Sequence, residues 1–301
     1  MTALHEKSTL VSLEGSTWRG VKSDREATDG TADLFGTTAN WVTTSKRLVD
    51  PEVLREPKRI LGQARNYLRG QSVGAADGKS IPGGLPPWDS KGWHILPNIL
   101  NERVTRNLGQ FESNFNDAVD KLQVVLPTAI DAARAENPKL FKADDYGSVE
   151  EVIGHYGFTI DRTLVPDAGD VRVDASKEFV DHLKGQIEAK STKKLNDVTR
   201  HVVRTVVDVA THLANALEGY DPEKKGASPF RDSTVEKVRD LIGVIPALNV
   251  KGDAKIDKAG HDLLAAIGNK SAKELREDDD GRKAVAAKAR EVADNISNLF
   301  D

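Results

Sequence analysis

One feature constrains this chain more than any other: a helical spacing of apolar residues sustained over very long stretches. Leu100, Val104, Leu108, Phe111, Phe115, Val119, Leu122 and Leu126 recur every three or four positions. Val180, Leu183 and Ile187, and after a gap of eleven Val198, Val202, Val206, Val209, Leu213, Leu217 and Tyr220, do the same. Stripes of this kind are buried by packing on other helices. They predict a mainly α chain: an elongated helical bundle or coiled-coil hairpin with long antiparallel helices and one or two short β segments. One helix is expected from about Pro97 to Leu126, with Pro127 restarting a short helix through Ala135. The longest runs from about Ser176 to Tyr220. Its middle, EAKSTKKLN, is almost wholly polar, which predicts a break or a solvent-bridging stretch.

The remaining signals divide the chain into three. Residues 1–45 read as an extended strand-and-loop segment, with Val11, Leu13 and Trp18 as inward positions and SDREATDGTADLFGTTAN as a surface loop. Residues 46–145 read as a helical hairpin. Asp50 caps its first helix, Pro51 opens it and Gly70 ends it. A Gly/Pro-rich loop over 70–96 follows; after Gly70, residues 71–92 hold five Gly and three Pro. A loop this long in a compact domain is functional or mobile. Residues 146–301 read as a bundle built on the helix at about 176–220. This part includes a short helix near 146–156 and an edge strand in GFTIDRTLVPD. Further helices start at Ser228-Pro229, at about Asp253 and at the Ser271–Glu274 capping box, and the last apolar stripe ends at Leu299.

Composition removes several chemistries. Cysteine is absent, so disulfides, thiolate metal sites and cysteine nucleophiles are excluded. No apolar run approaches the roughly 18 residues of a membrane span, so no membrane partner is expected. Lys+Arg 43 against Asp+Glu 47 gives −4, which is no global footprint for nucleic acid. GQSVG at 70–74 has nucleophile-elbow spacing around Ser72, but it follows a helix rather than a strand. GAADGKS at 74–80 has three residues between its glycines where a phosphate loop needs four. Asp197/His201 and Asp208/His212 are each four apart on one helix and read as helix-face Asp–His hydrogen bonds. Their offset of about 16 Å prevents one ion from using both pairs. No catalytic residue, metal or cofactor is expected.

The first helix carries the most informative charge pattern. Arg55, Lys58, Arg59, Arg65 and Arg69 fall within an arc of about 120°, opposite the apolar arc. Lys46 and Arg47 lie just upstream. Trp88 and Trp93 flank Lys91 beside the Gly/Pro loop, as ring-and-cation sets do at base-stacking sites and protein hot spots. The seven cations from Lys46 to Arg69, with Trp88 and Trp93, are the candidate surface for nucleic acid or an acidic partner.

TTSKRLVDPEVLREPKRILGQARNYLRGQSV, GWHILPNILNERVTRNLGQFESNFNDAVDKL, SPFRDSTVEKVRDLIGVIPALNV and KELREDDDGRKAVAAKAREVADNI resemble a phage and bacterial family of uncharacterised proteins, the domain of unknown function number 3150. The likeness covers the chain from about residue 40 onward. It implies phage or prophage origin, a place in the host cytoplasm or the virion, and an adaptor or substrate role beside an AAA+ ATPase. The expected function is a non-enzymatic helical interaction, structural or adaptor protein, self-associating as a homo-oligomer or acting with such an ATPase. The alternative is a nucleic-acid-binding accessory protein using the basic stripe of residues 46–69.

Overall fold

A computed structural model describes residues 4–71, 74–75, 77–172, 174–221, 223 and 230–297. The chain is mainly α, with long helices and two small sheets. The helices are α1 (Leu4–Lys7), α2 (Arg25–Leu34), α3 (Arg55–Leu68), α4 (Asn101–Glu136), α5 (Val149–Ile153), α6 (Lys177–Glu218), α7 (Asp232–Leu248), α8 (Ala254–Ile267), α9 (Ala272–Glu277) and α10 (Asp279–Ser297). The strands are β1 (Ser8–Ser16), β2 (Val21–Ser23), β3 (Ser45–Arg47), β4 (His94–Pro97) and β5 (Gly157–Leu164). One sheet has the order β4-β1-β5, so β5 is the edge strand its alternation and Pro166 suggest. β1 runs antiparallel to β4, with Val11 opposite His94. β2 and β3 form a separate antiparallel pair, with Val21 opposite Arg47.

The chain divides into two compact units. The first holds Met1–Ser12, Asn66–Arg106 and Asp161–Asp301; the second holds Leu13–Arg65 and Asn107–Ile160. The sequence segments 1–45, 46–145 and 146–301 each contribute to both units. In the first unit, Val202, Val206, Ala210 and Leu213 of α6 are buried, as are Val285, Ala289 and Val292 of α10. α10 lies along α6, and α7 and α8 complete the layer. The core of the second unit is Leu48, Val49, Leu54, Leu122, Leu126, Tyr146 and Val152. Phe115 adds ring contacts to Tyr156 and Phe158, with centroids 6.5 and 5.4 Å away.

Two local expectations change, and an alternative left open in α6 is decided. The stretch read as a surface loop contains α2. Asp24 caps it by accepting from Ala27 N–H at 3.0 Å, and only Ala32 of the helix is buried, so its apolar signal is faint. α4 runs unbroken through Pro127. Proline removes one backbone hydrogen bond, but Leu122, Leu126, Ala129 and Ile130 all pack on the core of the second unit and hold both sides of the proline in one helix. α6 has no break: of the two expectations for its polar middle the solvent-facing stretch is what forms, a continuous helix with none of residues 188–196 buried. The expected helix start at Ser228-Pro229 lies outside the described residues, as do Leu299 and Ser72.

Candidate functional site

α3 forms as its caps dictate. Asp50 accepts from Glu52 N–H at 2.9 Å, and Pro51 opens a 3-10 turn, Pro51–Leu54, that leads into the helix. Ile60, Leu61, Ala64, Tyr67 and Leu68 are buried, which leaves the opposite arc to the cations. Those cations differ in availability. Arg55 holds Glu52 at 2.9 Å, and the Arg59 Nε donates to Glu56 at 2.9 Å. The Arg59 guanidinium keeps the Glu56 carboxyl below its ordinary range. Arg65 is partly buried and donates to Gly15 O at 2.8 Å. Lys58, Arg47 and Arg69 are exposed.

Lys46 is not part of an accessible stripe. Its side chain is 8% exposed. Its Nζ lies 2.6 Å from Asp145, 3.5 Å from Asp24 and 2.8 Å from Leu140 O. The hydrogen bond with Asp145 raises the Lys46 pKa against the opposing effect of burial, so the amine stays charged. Asp145 is lowered by Lys46 and then by Lys22, which stands 2.9 Å away. The cluster ties β3 to the start of α2 and to residues 140–145. Tyr146 OH adds a 2.6 Å bond to Leu48 O. Lys46 is therefore a structural ion-pair centre.

In the second unit the stripe is joined by residues that sequence reasoning did not place there. A groove of about 700 Å³ is lined by Arg19, Arg47, Arg55, Lys58 and Arg59, with Glu52 as the one carboxylate among the described residues that line it. Trp18 and Leu54 also line it. Trp18, read as an inward strand position, lies beyond the end of β1 and is only partly buried. Among the described residues Arg19, Arg47 and Lys58 make no ion pair. Gly20 lets this arrangement close. Its φ is +60°, and a Cβ there would lie 2.5 Å from Leu54 Cδ1. Gly20 O accepts from Leu48 N–H at 2.8 Å. The only local signal for this corner is Gly20 itself.

The aromatic half of the candidate surface resolves differently. Trp88 is 5% exposed, and Lys190 and Lys194 of α6 stand 5.0 and 5.9 Å from its ring centroid. Trp93 is partly buried, and its carbonyl accepts from Trp88 N–H at 2.7 Å. These rings belong to a strap laid on α6 within the first unit. Gly83, at φ +76°, meets Thr205 so closely that a Cβ would lie 2.1 Å from its Oγ1. His201 Nε2–H donates to Gly84 O, and His94 Nδ1–H donates to Leu85 O, each at 3.1 Å. Burial lowers both histidine pKa values. Arg103 pins the far end through Asp77 at 2.7 Å and Ser80 O at 3.1 Å. Much of the long loop is thus a fastened strap, and Trp88 anchors it instead of offering a stacking face.

His201 consequently does not bond Asp197, which pairs with Lys194 and Arg200. Asp208 and His212 are both exposed. Among the described residues no three His, Asp or Glu side chains are grouped as a metal site requires. No helix there is long and apolar enough to cross a membrane. Comparisons with family models, curated proteins and solved structures found no match to this chain.

Proposed function

We propose that this protein is a non-enzymatic helical interaction protein that self-associates through the N-terminal half of α6. The observation carrying this reading is the asymmetry of that helix. Every fully buried side chain of α6 lies at or beyond Val198. The preceding 21 positions, residues 177–197, extend for about 31 Å. They carry Phe179, which is 53% exposed, and the partly exposed Val180, Leu183 and Ile187 on one apolar stripe. An amphipathic face on a continuous helix, left incompletely covered, is suited to another helix. We read α6 and α10 as antiparallel members of a bundle. Arg282 near the start of α10 stacks on Tyr220, just past the end of α6, and Arg290 further along reaches Glu218. The segment resemblance noted above motivates the companion proposals of phage or prophage origin and of an AAA+ ATPase partner.

The test is the solution mass by light scattering over a concentration series. The expected result is a multiple of the chain mass that falls to one chain in Leu183→Glu/Ile187→Glu. A single-chain mass at every concentration would refute the reading. The nucleic-acid alternative is left with Arg47, Arg55, Lys58 and Arg59 in the second unit, because Lys46 is buried and Arg65 is tied to a carbonyl; Arg69 and the partly buried Trp93 belong to the first unit, where Trp88 is buried.

A further inference from the structure

We infer that the groove between the Trp18–Gly20 corner and the first turns of α3 is a binding site for a compact polyphosphate group, as carried by a nucleoside polyphosphate or free in solution. The argument begins with charge. The chain as a whole is net negative at −4, yet five cations and one carboxylate line this groove. Arg19, Arg47 and Lys58 have no ion pair among the described residues. Converging like charges repel one another, and an anion placed among them removes that cost. The paired cations remain usable. Arg55–Glu52 has side chains 66% and 70% exposed, so its solvent-screened bond contributes little and yields to a stronger acceptor.

The shape and chemistry of the cations select the anion. Four of the five are arginines, whose planar forks grip phosphate oxygens two at a time; Lys58 adds a point charge. A polyphosphate presents several negative charges within a few ångströms, on a skeleton with few rotamers to freeze. An acidic peptide would have to order one flexible side chain per charge. A volume of about 700 Å³ lies within the range of small-ligand sites. A polynucleotide needs a continuing track, and here the track stops. Lys46 upstream is buried against carboxylates, and Arg65 downstream is held by Gly15 O. Trp18 in the wall offers a partly exposed ring on which a base can stack, which distinguishes a nucleotide from free polyphosphate.

Calorimetric titration of the full chain with sodium tripolyphosphate, at about 50 and 200 mM salt, tests the site. Binding is expected at the lower salt and should weaken at the higher. Arg47→Glu/Lys58→Glu and, separately, Arg19→Glu/Lys58→Glu should each weaken it by about tenfold or more. Lys273→Glu, an exposed charge reversal in the first unit, should leave it unchanged. Using two double variants guards against one of them failing to fold, which circular dichroism checks. ATP binding more tightly than tripolyphosphate, with the gain lost in Trp18→Ala, identifies a nucleotide as the source; equal affinities identify the phosphate chain alone. No binding at 50 mM salt, or unchanged affinity in both double variants, overturns the site. So does tighter groove-dependent binding of a polyglutamate peptide or of a single-stranded oligonucleotide.

Discussion

Replacing Lys46 by methionine keeps most of the unbranched apolar stem of the side chain and removes the ammonium group, with its charge and its hydrogen bonds. The magnitude follows from what remains. Three acceptors face the amine: Asp145 at 2.6 Å, Asp24 at 3.5 Å and Leu140 O at 2.8 Å. Deleting one partner of a buried pair costs about 3–5 kcal/mol when the other charge is left uncompensated. Here compensation is partial. Asp145 keeps Lys22 at 2.9 Å, and Asp24 keeps the Ala27 N–H at 3.0 Å. The expected loss is therefore about 2–3 kcal/mol in the second unit. Because the chain has two units, a local probe is needed, and amide hydrogen exchange in α4 around Leu122 and Leu126 supplies it. Exchange through opening of that unit should accelerate about 30- to 150-fold. Arg55→Met removes an exposed pair and should change stability by less than about 0.5 kcal/mol. The pH dependence has a definite sign. Asp145 sits below its ordinary 3.8, so its contribution is present above that value and is lost as the pH falls through the lowered one. Lys46 sits above its ordinary 10.5, so its contribution is complete below 10.5 and fades only as the pH rises toward the raised value. The gap between wild type and Lys46→Met should thus be level across neutral pH and shrink in acid. Unchanged exchange in Lys46→Met, or a loss no larger than that of Arg55→Met, would refute the assignment of Lys46 as a structural centre.

Two further outcomes follow from the strap. Gly83→Ala combines a left-handed φ of +76° with a Cβ 2.1 Å from Thr205 Oγ1, and should destabilise the first unit by about 2 kcal/mol or more, read by urea unfolding. His94 and His201 are both held below 6.5 by burial, so the unfolded chain takes up protons first. Stability of the first unit should fall as the pH drops below 6.5, down to the lowered folded values. Arg69 and Arg204 reinforce this, while Asp89 and the loop carbonyls oppose it. His94→Gln/His201→Gln should flatten the thermal-denaturation profile between about pH 5 and 7; an unaltered slope would rule out these two groups as its source.

What the sequence made legible was local. The Asp50-Pro51 start of the first helix and the Ser271–Glu274 capping box at α9 are each written within a few residues, and each forms as expected. The β5 edge strand was visible in its alternation. What escaped depends on partners far along the chain. Lys46 looked like one more member of a basic stripe because Asp145, which claims it, lies 99 positions later. Trp88 looked like a stacking ring because the lysines over it come from α6. The continuity of α4 through Pro127 depends on core contacts that outweigh a local helix-breaking signal. Nothing nearby in sequence links Arg19 to Arg47 and Lys58; the link is the close approach of Gly20 to Leu54. The two units interleave in sequence, and no composition shift marks where the chain passes from one to the other.

The absence of cysteine provides a direct test of the central claim, since one introduced thiol is a unique label. Glu188→Cys places a nitroxide on an exposed position of α6 beside the Ile187 stripe. Dipolar electron resonance on the labelled protein should give a defined distance between labels of two copies, and dilution with unlabelled chain should lower the modulation depth without changing that distance. A decay without dipolar modulation, together with the mass of a single chain at the same concentration, would contradict self-association through this helix.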